Sequence, residues 1–89
     1  MDDIFRALAH RERRIFISAC VAEPRAAGDL ARLSGLSIAS VSEHLKVLRK
    51  TGLLRLSRRG RFWIYRTNVQ MLDAAADAAR ALGRQPDGT

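Results

Sequence analysis

Residues Asp29–Arg66 read DLARLSGLSIASVSEHLKVLRKTGLLRLSRRGRFWIYR, and this stretch decides the fold. Leu30, Ala31 and Leu33 give a short helix over 27–34 an apolar side. Gly35 follows, where a sharp reversal between two helices needs a left-handed residue. Ser37 is placed to cap a second helix running from Ile38 to about Thr51, which Gly52 ends. Within it Val41, Leu45 and Leu48 fall at i, i+4 and i+7 and predict one core-facing seam. Leu53–Ser57 and Arg61–Thr67 then read as two strands, and Ser57-Arg58-Arg59-Gly60 as the hairpin turn between them. Two helices about a glycine turn, followed by a charged hairpin, supply a rod for the major groove and a wing for the backbone beside it.

The rest of the chain extends this plan. Asp2–Ala9 predicts a first helix with the stripe Ile4, Phe5 and Leu8, and about Arg11–Ala22 a second one that Pro24 stops. Ile15, Phe16, Ala19 and Cys20 line that second helix, and Ile17 and Val21 add another strip, so burial on most faces is expected. Asn68 is the expected cap of a last helix, Val69 to about Leu82, with Leu72, Ala75, Ala79 and Leu82 along one side. The fold class is α+β and mostly helical: a winged helix-turn-helix in the order α-α-α-α-β-β-α. Residues 1–82 are expected to form one domain and 83–89 a flexible tail.

Composition narrows the partner. The 89 residues carry 16 Lys and Arg against 9 Asp and Glu, a net +7, and 14 of the cations are Arg. Arginine's fork matches phosphate oxygens, so the bias points to nucleic acid rather than to solubility alone. Cys20 is the sole cysteine, which excludes an internal disulfide and fits a reducing, cytoplasmic setting. No run reaches the length of a membrane span, and Met-Asp-Asp does not open a signal peptide, so no membrane partner is expected.

For the helix 38–51, Ser40, Ser42 and Glu43 can exchange hydrogen bonds with base edges, and Ile38 and Ala39 can touch a thymine methyl. Ser37, Lys46 and Arg49 are candidates for phosphate, and Arg58, Arg59 and Arg61 for phosphate or a narrow minor groove. For any one of these the plain alternative is a solvent-facing position. Phe62, Trp63, Ile64 and Tyr65 are expected to pack in the core, Cys20 to pack as a small hydrophobe, and His44 to lie at the helix boundary. No nucleophile–base pair, carboxylate cluster, phosphate loop or metal-ligand spacing is present, so neither an enzyme nor a cofactor is expected.

Two runs carry a family resemblance. DLARLSGLSIASVSEHLKVLRKTGLL, followed by RRGRFWIYR, resembles the ArsR family of winged-helix repressors, whose run is L-S-x-x-x-V-S-x-H-L-x-x-L-x-x-x-G-L. IFRALAHRERRIFI is similar to that family's opening, where A-L-A-D-P-x-R is usual; here His10-Arg11 stands for Asp-Pro. The resemblance covers about residues 2–82. It implies a homodimeric repressor on an inverted repeat, joined through the first and last helices. Those would contribute Ile4, Phe5 and Leu8 with Leu72, Ala75, Ala79 and Leu82. Ala26 and Gly28 stand where metal-sensing members carry Cys-x-Cys, and the last helix holds no His, which implies a metal-independent, autorepressor-like member. The expected function is therefore a dimeric transcriptional repressor with double-stranded DNA and a second copy as partners. A nonspecific architectural DNA binder and a winged-helix protein-interaction module are the alternatives. Operator, effector and any role for Cys20 are not legible.

Overall fold

The structure, a computed structural model, describes residues 1–84. Five helices and one hairpin follow in order: α1 Asp2–Leu8, α2 Arg11–Ala22, α3 Ala27–Ser34, α4 Ile38–Lys50, β1 Leu54–Arg59, β2 Phe62–Thr67 and α5 Val69–Leu82. The expected flexible tail, 83–89, lies outside the described residues from 85 on. Gly83 and Arg84 form a turn on the end of α5.

The helix ends follow local chemistry. Ser37 Oγ accepts the Ser40 N–H at 3.2 Å, and Asn68 Oδ1 accepts the Met71 N–H at 3.3 Å. Both satisfy donors that a helix start leaves open. At α3 the cap residue Ala26 has no acceptor, but Asp29 reaches back to the Ala26 N–H at 3.0 Å. That hydrogen bond holds the Asp29 carboxyl below its usual range; slight desolvation opposes it and Arg32 reinforces it. Gly35 turns the chain at φ 74° and Gly52 at φ 84°.

Phe16, Cys20, Leu30, Val41, Leu45, Leu48 and Leu53 are the largest fully buried side chains, so the core lies where α2, α3 and α4 meet the foot of the hairpin. Ile4 and Ala7 close it from α1, and Ala75 from α5. Leu33, expected on the packed side of α3, is 53% exposed and so points outward; Leu30 and Ala31 do the packing. Val21, likewise, is exposed rather than buried.

The hairpin departs from the expected register. Leu54 pairs with Thr67, Leu56 with Tyr65, Arg58 with Trp63 and Arg59 with Phe62, so the turn is Gly60-Arg61 and not residues 57–60. Arg58 and Arg59 belong to the strand. A link that sequence reading missed joins the other edge of β2: Tyr65 donates its N–H to the Arg25 carbonyl at 2.7 Å and accepts from the Arg25 N–H at 3.0 Å. Thr67 Oγ1 adds a buried bond to the Ile17 carbonyl at 2.8 Å. The foot of the wing is thereby fastened to both ends of the α2 segment's second half.

The molecule is elongated, 51 × 23 × 20 Å, with a radius of gyration of 14.3 Å. A compact chain of this length would have about 12 Å. Ala75 is the one fully buried residue of the 14 in α5, which is the least embedded of the long helices.

Candidate nucleic-acid interface

α4 is held by one side and free on the other. Val41, Leu45 and Leu48 are buried, while Ile38, Ala39, Ser40, Ser42, Glu43, Lys46, Arg49 and Lys50 are exposed. At 100° per residue Ala39, Glu43, Lys46 and Lys50 lie opposite the seam, and Ser42 and Arg49 share one flank with Ile38. Ser37 and Ser40 are partly committed to each other, since Ser37 Oγ also donates to Ser40 Oγ at 3.1 Å. Ser42 is the serine on the face with no intramolecular bond among the described residues. Glu43 lies 3.5 Å from Lys46 in an exposed pair, which an incoming phosphate or base can separate at small cost.

The connection Thr51–Leu53 sets the angle between α4 and the wing. Thr51 Oγ1 donates to the Leu48 carbonyl at 2.8 Å, and the Leu53 N–H reaches the same carbonyl at 3.1 Å. The Leu53 carbonyl accepts from Asn68 N–H at 2.9 Å. A Cβ on Gly52 would meet Met71 Cε at 3.2 Å, so this position needs glycine for space as well as for its positive φ.

Beyond its foot the hairpin runs past the body of the protein. Trp63 continues the inward face set by Thr67 and Tyr65, yet it is 55% exposed, and Phe62 on the opposite face is 67% exposed. Both were expected in the core; Ile64 and Tyr65 are half-buried instead. Trp63 shares the face of Tyr65 and Thr67, but there is no core beneath that end. The Arg58 guanidinium lies 5.7 Å from the Trp63 ring centre, and its Nε donates to the Gly60 carbonyl at 3.0 Å. Arg58 therefore covers the ring and closes the turn, while Arg59 and Arg61 are exposed near the tip.

Charge is sorted along the chain. Residues 44–72 hold eight of the sixteen cations and no acid, so this segment exceeds the whole net charge and the remainder is one unit negative. Among the described residues none of Arg49, Lys50, Arg55, Arg58, Arg59, Arg61 and Arg66 pairs with an acid; the ion pairs sit on α1, α3, α5, the α2–α3 loop and at Glu43. α4's far end and the wing thus form a continuous run of cations without an acid partner among the described residues.

His44 is not a free boundary residue. It is half-buried, its Nδ1 accepts from Arg13 Nε at 3.1 Å, and its ring meets Phe16 edge-on at 6.1 Å. Burial lowers its pKa below the ordinary 6.5; Arg13 and His10 add to this and Glu12 opposes it. Arg13 was missed in the sequence because its partner is 31 residues away. Cys20 is buried as expected, and burial pushes its thiol up to about 11, against a smaller pull from Arg25. No cluster of three or more His, Cys, Asp or Glu able to hold a metal occurs among the described residues, and no helix there is long and apolar enough to cross a membrane. Ala26 and Gly28 form the start of α3.

Of the residues expected at a dimer contact, Ile4 and Ala75 are buried in the protomer's own core, and Leu8 and Leu72 are half-buried. Phe5, Ala79 and Leu82 are exposed. The free apolar stripe is thus narrower than the sequence suggested.

The helix-turn-helix domain family matches residues 8–57. This chain belongs to that family. It is similar to the transcriptional repressor SdpR of Bacillus subtilis (strain 168), at 29% identity over 72 residues, 81% of this chain and 80% of the relative. Its fold is that of an ArsR-like transcriptional regulator from Rhodococcus sp. RHA1, with a TM-score of 0.84, 24% identity and coverage of 93% of this chain and 78% of the other. It is also similar to the homodimeric winged helix-turn-helix DNA-binding domain of Mb0332 from Mycobacterium bovis, a possible ArsR-family regulator. That match has a TM-score of 0.76, 20% identity and coverage of 99% and 82%. The chain is a helix-turn-helix protein whose winged fold is shared with solved ArsR-family regulators, and its function is that of a DNA-binding transcriptional regulator.

Proposed function

We propose that this regulator is a homodimeric, metal-independent repressor of a short inverted repeat. The observation that carries the reading is the acid-free run 44–72, whose unpaired cations flank a helix face of small polar groups. In this reading α4 enters the major groove, with Ile38, Ala39, Ser42 and Glu43 at base edges and Ser40 beside them. Ser37, Lys46 and Arg49 meet phosphate, and Arg58, Arg59 and Arg61 follow the flanking backbone or minor groove. Dimerisation uses the exposed side of α1 and α5, chiefly Phe5, Ala79 and Leu82, with Leu8 and Leu72 behind them. Its support is the poorly embedded α5 and the homodimeric relative. Two α4 helices about a twofold axis lie about 34 Å apart, one turn of DNA, which requires a palindromic site.

Selection of bound duplexes from a random library tests this. An enriched inverted repeat with half-sites about one turn apart is expected. Unselective retention of all duplexes would instead mark a nonspecific binder. If about six to ten phosphates are neutralised per dimer, affinity for the selected site falls roughly 10³- to 10⁵-fold between 50 and 200 mM salt.

A further inference from the structure

Arg13 and His44 are the Arg and His of the two runs that carry the family resemblance, and none of the proposed DNA contacts uses them. Every other side chain–side chain hydrogen bond among the described residues spans three positions; theirs spans 31 and joins α2 to the groove-facing helix. It is made by Arg13 Nε to His44 Nδ1, part-buried, one residue before the seam residue Leu45. An Nδ1 that accepts carries no proton, so the neutral ring is the Nε2–H tautomer. Protonation places N–H against N–H and a second cation beside Arg13, which ends the bond. The ionisable groups that face His44 are His10, Glu12 and Arg13, all from the start of α2. Glu12 alone among them favours the protonated ring.

We infer that Arg13 and His44 are positioning residues: their hydrogen bond fixes the roll of α4 about its seam, and DNA selectivity depends on His44 being neutral. This rests on α4 being the base-reading helix. Hydrophobic contacts hold the depth of α4, but apolar packing is non-directional. A directed bond on the flank selects which of Ala39, Ser42 and Glu43 face the bases. The sign of the pH effect is diagnostic. Mere charge predicts tighter DNA binding on acidification, because each protonated histidine adds a cation. The positioning link predicts the opposite for selectivity.

The test is the ratio of affinities for the selected operator and a random duplex, measured on the full chain at about pH 7.5 and about pH 5.5. The ratio cancels contributions from charge alone. A loss of about fivefold on acidification is expected, the weight of one such hydrogen bond. His44→Asn keeps an acceptor near Nδ1 without titrating, so its ratio should match the parent at the higher pH and stay flat. Arg13→Met, of similar length with no donor, should show the reduced ratio at both. Nitrogen-15 spectra of the parent should report the Nε2–H tautomer at the higher pH. An unchanged or rising ratio on acidification, acid loss persisting in His44→Asn, or an Nδ1–H tautomer would each overturn the inference. Lack of selectivity in the parent at both pH values would overturn the operator reading and the link with it. Selectivity indifferent to pH would sink the link alone.

Discussion

α4 and the wing both carry unpaired cations, and in the proposed complex both face the duplex, yet they are held in opposite ways. α4 has three buried side chains along its length, a capped start and a glycine stop. The wing is fastened only at its foot, and its last aromatic pair stands in solvent. An element packed along its whole length presents fixed groups, as base reading requires; one clamped at a single end presents charge with less definite geometry. Phosphate contact tolerates that, since it carries little sequence information.

The sharpest way to break this contrast is in the seam. Leu45→Ala empties a fully buried site and should cost about 3 kcal/mol in denaturant unfolding. A value near zero would mean that α4 is not a core element. Next in size, replacing Arg58, Arg59 and Arg61 together by Ala should weaken operator binding on the order of a hundredfold at physiological salt. The salt slope should fall by about five units, since six arginines are lost per dimer, with selectivity unchanged. Altered base preference would instead make the wing a reading element.

The two hinge glycines sharpen the comparison further. Both have positive φ, but a Cβ at Gly52 meets Met71 whereas one at Gly60 meets open space. Gly52→Ala should cost about 2 kcal/mol and Gly60→Ala about 1 kcal/mol. The reverse order would show that the tip is the more constrained end. Smallest of all, Phe62→Ala should leave the unfolding midpoint within about 0.5 kcal/mol of the parent.

Much of this was readable in the chain. α2 and α3 end, and α5 begins, where Pro24, Gly35 and Asn68 suggested, because caps and breakers act within a few residues. The seam of α4 was equally plain, its period being the helix's own. The hairpin was less so. Three arginines about a glycine suggest a loop, and only the cross-strand stacking of Arg58 on Trp63 shows that the ladder continues to Arg59. Alternation implied that one of each pair among Phe62–Tyr65 turns inward but not how far the core extends beneath them. The bridge from Arg25 to Tyr65 and the bond from Arg13 to His44 join residues far apart in sequence, where no local pattern signals a partner.

Tyr65 has a consequence beyond holding the wing in place. With β1 on one side and Arg25 on the other, it is the point where β2 stops being free, and Phe62 lies about 10 Å farther out. The hairpin is therefore a cantilever, clamped at Tyr65 and Thr67 and loaded at Gly60-Arg61. In the proposed complex such a clamp lets a wider or narrower groove deflect the tip while α4 keeps its place.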